Sequence, residues 1–224
     1  MDYRKYTRKN LSSKFKFFSN LSVTNWFILI NVIFFIVVNI LVLNNQNFFE
    51  YIALKSSNIL QGKYLWTLLT SMFMHGSFAH ILVNMVSLMF IGNFVERIIG
   101  RKRFFWFYLV SGLVASLFFV LFALVFSSEL NVYAVGASGA IFALGGLLMI
   151  LTPKLPVLVF FIIPMRMFTA MIFLLAMLWV LSVVAGLPIG NTAHLGGLLS
   201  GIVYGLYLKR KYKRKVVMLN RMFG

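Results

Sequence analysis

The chain has 224 residues, 61% hydrophobic and 11% charged, with a formal net charge of +17. Soluble domains are about half apolar and about a quarter charged, so this composition excludes an ordinary water-soluble fold and leaves most of the apolar surface to face lipid. There are no cysteines, which removes disulfides, thiolate nucleophiles and cysteine-based metal sites and leaves the compartment open.

In chain order, residues 1–25 are basic and polar, and the first apolar run follows at 26–43. No small-residue cleavage site comes after that run, so it is expected to be a retained anchor rather than a signal peptide. Further apolar runs lie at 78–98, 104–126, 136–151, 167–185 and 192–208. Each is near the roughly 17–25 residues needed to cross a hydrocarbon core. Backbone groups in lipid need internal partners, so these six runs are expected to be helices. The expected fold is an all-α, polytopic bundle of six transmembrane helices. It would form one domain over 26–208, between a basic tail at 1–25 and another at 209–224.

Between the first two runs, Phe48, Phe49, Tyr51, Tyr64, Leu65 and Trp66 make the segment too apolar for a free aqueous loop. It is expected to lie partly in the membrane interface, where Trp and Tyr concentrate. Segment 152–166 carries Pro153, Pro156 and Pro164, which argue against merging it into the fifth helix and suggest an interfacial stretch. A short loop with Gly186, Pro188 and Gly190 leads into the sixth run. No internal repeat supports a transporter built from inverted halves. Gly197, Gly201 and Gly205 recur every fourth residue, a ridge of small residues for close helix packing, expected against the fourth helix with its Gly136, Ala137, Gly139 and Ala140.

All lysines and arginines but Lys55 and Lys63 fall on one side of the six runs. By the positive-inside rule both termini are expected in the cytoplasm. This distribution fits topology signals that also meet anionic lipid, and it argues against nucleic acid as a partner. The second, fourth and sixth helices would then all begin at the outer face. They bring Ser138, His194, and His80 with Asn84 to the same end of the bundle. From Ser138 to Leu151 is 14 residues, about 21 Å of helix, against a hydrocarbon core of about 30 Å. Ser138 is therefore expected below the outer surface, in a wet pocket.

A serine hydroxyl needs a base before it can attack, and histidine is the usual one. Ser138 and His194 are the pair in position. The chain's four acidic residues are Asp2, Glu50, Glu96 and Glu129, and none is placed to orient the imidazole. A dyad is the economical reading, with packing taking the orienting role of the acid. Backbone N–H groups at the start of the fourth helix, with His80 and Asn84 on one face of the second, can donate to an oxyanion. His75 is expected to hydrogen-bond the loop before that helix. A zinc protease lacks its His-Glu-x-x-His, and an aspartyl protease lacks a second aspartate, so no metal and no cofactor are expected.

Gly136-x-Ser138-Gly139, Ala193-His194-x-x-Gly197-x3-Gly201, and His75-x4-His80-x3-Asn84 resemble, in this order, the motifs of the rhomboid family of intramembrane serine proteases. The resemblance runs from about residue 60 to 205. It implies Ser138 as nucleophile and His194 as general base. It also implies an oxyanion hole of His80, Asn84 and the Ser138 N–H, with the fifth helix and the loop before the sixth gating entry of a substrate helix. Two positions depart from the pattern. Thr67 follows Trp66 where many members have arginine, and Phe142 stands where many have tyrosine, so it can stack on His194 but offers no hydroxyl. The implied function is endopeptidase cleavage in or beside transmembrane segments of membrane proteins that carry small or helix-breaking residues. The competing reading is a non-catalytic relative that binds transmembrane clients. Short tails and a minimal core lead us to expect a bacterial plasma membrane, with the site toward the outer face.

Overall fold

The computed structural model describes residues 21–160, 162–186 and 189–223. The basic stretch up to Asn20, with Asp2, and the loop residue Pro188 lie outside the described residues.

Helix α1 (Val23–Asn44) begins at Ser22, whose side chain accepts from the Asn25 N–H. Its first turn is also held from a distance. The Glu96 carboxylate accepts from the N–H groups of Val23 and Thr24 at 2.9 and 2.8 Å and from Thr24 Oγ1 at 2.7 Å. An acid on the positive end of a helix satisfies donors that have no intrahelical partner. The next segment folds into α2 (Phe48–Ile52), β1 (Leu54–Lys55), α3 (Ser56–Leu60) and α4 (Thr67–Thr70). Trp66 Nε1 donates to the Tyr51 carbonyl at 2.8 Å, Thr67 Oγ1 to the Tyr64 carbonyl at 2.8 Å, and Thr70 Oγ1 to the Ile52 carbonyl at 3.0 Å. These bonds pin the loop with Thr67 in place.

Helix α5 (Phe78–Ser87) passes through a π-helical turn at Leu88–Gly92 into α6 (Asn93–Ile99). At that turn a Cβ on Gly92 would sit 2.8 Å from Thr24 Cγ2, so α1 crosses close by. Gly100, with φ +85°, turns the chain sharply into α7 (Arg101–Ala123). Strand β2 (Tyr133–Ala134) pairs antiparallel with β1, Leu54 opposite Ala134. This short ladder ties the loop before α8 (Ser138–Leu151) to the loop after α1.

Helix α8 is apolar or small around its whole circumference, and twelve of its fourteen residues are buried. A helix hydrophobic all round belongs at the centre of a bundle. Its principal partner is α10 (Asn191–Lys211). A Cβ on Gly197 would land on the Gly139 carbonyl oxygen, one on Gly201 on the Ala143 carbonyl, and one on Gly205 would lie 2.9 Å from Ile150 Cβ. The glycine ridge thus brings two backbones into contact, as small-residue seams do in lipid. Helix α7 closes the other side, where a Cβ on Gly139 would meet Ala115 Cβ at 2.7 Å.

Segment 152–166 stays separate from the fifth apolar helix, as the prolines lead one to expect. It forms an antiparallel hairpin, β3 (Pro156–Val159) with β4 (Ile163–Arg166), paired from Pro156 opposite Arg166 to Val159 opposite Ile163. The prolines fit an isolated two-stranded ribbon because every strand in it has an open edge. Helix α9 (Met167–Val184) follows, buried only at Met167, Ala170 and Met171. The C-terminal basic stretch is helical over most of its described length. It continues α10 to Lys211 and then forms a further helix, α11 (Lys213–Arg221).

The molecule is therefore a helical membrane bundle, with two small two-stranded ladders among the described residues. Helices α1, α5–α6, α7 and α9 are long and apolar enough to cross a membrane. The shorter α8 and the glycine-rich α10 fill the middle.

Candidate active site

Ser138 opens α8, and His194 lies in the first turn of α10. Ser138 Oγ and His194 Nε2 are 2.7 Å apart. The short distance follows from the glycine seam, since Gly197, about one turn after His194, packs on the carbonyl of Gly139, the residue next to Ser138. His194 is 7% exposed, and its ring stacks on Phe142 with centroids 4.6 Å apart and planes at 17°. Among the described residues no side chain bonds to its Nδ1. The imidazole is therefore positioned by stacking and by the helix pair, without a carboxylate.

Gly136 has φ +118°, which side-chain-bearing residues rarely adopt. A Cβ there would lie 2.8 Å from His80 Nε2 and 3.3 Å from Asn84 Nδ2. Its N–H donates to the Ser71 carbonyl at 2.9 Å. The bare backbone of Gly136 therefore lets the loop before Ser138 lie against both side chains of α5. Asn84 is buried, and its Nδ2 finds no hydrogen-bond partner among the described residues. The first N–H groups of α8 have no intrahelical acceptors, so several donors converge beside the serine.

His75 is buried, with Nδ1 3.4 Å from the Phe73 carbonyl and its ring edge-on to His80 at 5.1 Å between centroids. Burial, with His80 beside it, pushes its pKa down to about 4, so it stays neutral.

Ser138, His194, His80, Asn84, Gly136, Gly139 and Phe142 line one cavity of about 810 Å³. His75 sits behind His80, and Gly197 lies outside the cavity, in the helix seam. One wall is made by Met171, Leu174 and Leu178 of the sparsely packed α9, with Phe160 of the hairpin. These wall residues carry no motif and were not singled out from the sequence.

Nor was the link between Glu129 and Thr192. Thr192 Oγ1 donates to Glu129 Oε2 at 2.8 Å, two residues before His194. Burial raises the Glu129 pKa, and the Thr192 hydrogen bond opposes that. An acid in the loop between α7 and α8 thus holds the first turn of the histidine helix without touching the imidazole. Four isolated acids gave no periodic signal that could have paired this one with Thr192. No cluster of His, Asp and Glu with metal-holding geometry occurs among the described residues. The arrangement can deprotonate a hydroxyl, present it to a carbonyl and bind the resulting oxyanion.

A family model described as the Rhomboid domain matches residues 62–211. RHOMBOID-like protein 1 of Arabidopsis thaliana is 34% identical over 154 residues, 68% of this chain and 37% of that protein. Rhomboid protein 1, mitochondrial, of Saccharomyces cerevisiae is 30% identical over 153 residues, 66% of this chain and 43% of that protein. Rhomboid protease GluP of Bacillus subtilis is 38% identical over 106 residues, 47% of this chain and 19% of that protein. The chain thus spans less than half the length of these curated relatives.

Proposed function

The chain belongs to the rhomboid family, and from that premise we propose that it is an intramembrane serine endopeptidase using a Ser138–His194 dyad. The observation that carries this reading is the 2.7 Å approach of Ser138 Oγ to His194 Nε2 in a cavity walled by lipid-facing helices. The relative in Bacillus subtilis is a rhomboid protease by name, which supports it.

As Ser138 Oγ attacks the scissile carbonyl carbon, His194 Nε2 takes the hydroxyl proton. The carbonyl oxygen becomes an oxyanion that accepts hydrogen bonds from Asn84 Nδ2, His80 and the Ser138 N–H. The C–N bond then breaks, and His194 returns the proton to the leaving amine. A water molecule, deprotonated in turn by His194, attacks the acyl-serine and releases the acid product and Ser138. In place of a triad acid, Phe142 stacking and the α8–α10 seam hold the imidazole.

The substrate is a transmembrane segment of another membrane protein. It reaches Ser138 past α9, the least anchored wall of the cavity. A stable helix shields its own peptide bonds, so cleavage favours small or helix-breaking residues near the cut. The basic ends face the cytoplasm, and the cavity opens at the opposite face.

The test compares the full chain and Ser138→Ala in proteoliposomes on two labelled transmembrane substrates, one with Gly-Ala near its centre and one Leu-rich. Cleavage of the Gly-Ala substrate by the unsubstituted protein alone is expected. Equal cleavage by both proteins overturns the nucleophile, and equal cleavage of both substrates overturns the helix-breaking requirement. Capture of the Gly-Ala substrate without cleavage would instead favour a client-binding protein.

A further inference from the structure

At the end of the bundle away from Ser138, the chain carries a second cavity of about 120 Å³ between α11 and the ends of the helices above it. Its floor is apolar, built from Ile99, Leu151, Leu208 and Val216. The exposed Arg103 and Lys215 and the half-buried Tyr212 complete its lining.

Among the described residues these cations have no carboxylate counter-ion. Arg103 donates to the Tyr212 hydroxyl at 3.0 Å and lies over its ring, and Lys211 donates to the Tyr207 hydroxyl at 2.9 Å. Glu96, the acid of this end, is 7% exposed and occupied by the first turn of α1. Its one ion pair is with Arg101, at 3.8 Å. Glu50 and Glu129 belong to the other end, among the loops that follow α1 and α7. Lys209 to Arg221 therefore form a basic surface around an apolar hole, with no carboxylate in the described structure to neutralise it.

The residue pattern of helix α11 suits a membrane surface. Val216 is buried, and Leu219 on the same face lines the cavity. Met218 and Met222 are 69% and 75% exposed. They are four apart, hence stacked on one side. At 3.6 residues per turn, Lys215 flanks that side and Arg214 and Arg221 flank its other edge. Exposed methionines between cations fit the boundary of headgroups and acyl chains. The segment lies beyond the matched family domain, which ends at residue 211.

We infer that this cleft is a binding site for one anionic phospholipid of the surrounding bilayer. The headgroup phosphate takes the Arg103 guanidinium and the Lys215 ammonium, and the first methylenes of an acyl chain enter between Leu151, Leu208 and Val216. The cavity is too small for a whole lipid, so the rest of the chain runs down the lipid-facing surface. Charge complementarity selects the occupant. The apolar floor separates a lipid from a free phosphate, which would leave it unfilled.

The absence of cysteine permits a single reporter: Met218→Cys carrying a fluorescent label, in the full chain reconstituted in phosphatidylcholine vesicles. Brominated phosphatidylglycerol is expected to quench the label several-fold more than brominated phosphatidylcholine at equal mole fraction. Arg103→Gln with Lys215→Gln should reduce that preference to near unity. Arg103→Lys with Lys215→Arg should restore it, which repair of charge explains and a folding defect does not. Lys213→Gln with Arg214→Gln, the same charge change off the cleft, should leave most of it. Equal quenching by the two lipids overturns the site. So does an equal loss in the two glutamine pairs, which would mean diffuse surface attraction, or abolition of the preference by inorganic phosphate, which would mean a soluble anion site.

Discussion

Helices α8 and α9 follow one another in the chain and have nearly the same apolar character, yet they are used in opposite ways. Twelve of fourteen α8 residues are buried, with glycine seams that put its backbone against α10. Only Met167, Ala170 and Met171 of α9 are buried, and Val183 and Val184 near its far end are 76% and 79% exposed. Ser138 and His194 sit on two closely packed helices, and one wall of their cavity is a helix with few buried residues. Precise geometry needs a packed support, and admission of a large apolar substrate needs a wall with few contacts to lose.

The largest effect should come from the rigid side. Ser138→Ala or His194→Ala is expected to lower kcat on a transmembrane substrate by at least about 10³-fold, because residues acting as one unit fail together. Single-turnover assays in proteoliposomes check this, and substantial residual rate in either variant would break the comparison at its root. Next comes Asn84→Ala, which removes a buried donor beside the serine. It should cost about 10²-fold to 10³-fold in kcat with little change in KM. A rise in KM alone would make Asn84 a substrate contact.

Gly201→Leu forces a side chain onto the Ala143 carbonyl and should destabilise the bundle by about 1–3 kcal/mol or more. Val183→Leu on α9, open to lipid, should leave thermal unfolding unchanged within about 0.5 kcal/mol. Similar losses in the two variants would mean that α9 is anchored as firmly as α8. Leu178→Ala thins the cavity wall, and we expect a few-fold change in KM for transmembrane substrates while turnover of a small soluble ester stays the same.

The smallest effect concerns Glu129. Its carboxyl titrates above the ordinary range in the folded state. The folded protein therefore holds a proton that the unfolded chain has lost, and this contribution to stability fades as pH rises from the ordinary carboxyl range through the raised value. Glu129→Gln should flatten that part of the melting-temperature profile and keep the bond to Thr192. An unchanged slope would place the titration elsewhere.

Much of the site was legible in advance because polar residues in apolar runs are few. Ser138, His194, His80 and Asn84 stand out by scarcity, and the charge asymmetry assigned them to one end. The stacking of Phe142 on His194 and the seating of Gly197 and Gly201 on the fourth apolar helix also agree with expectation. The hairpin at Pro156–Arg166 was missed because prolines break a helix signal without specifying what replaces it. The helical form of α11 is not legible in the sequence because basic residues dominate its composition, while Val216 and Leu219 find their apolar partners only in distant helices.

By itself the sequence determined the solvent this chain lives in, the number of apolar runs and the chemical groups available, because hydropathy, scarcity and charge are local properties. Only tertiary structure decided that Ser138 Oγ meets His194 Nε2 at 2.7 Å, that Gly136 bends so that His80 and Asn84 can approach, and that Glu129 holds the histidine helix through Thr192. Those distances join residues on separate elements. They depend on how close two backbones come, which is set by glycine seams and crossing helices together and by no single segment alone.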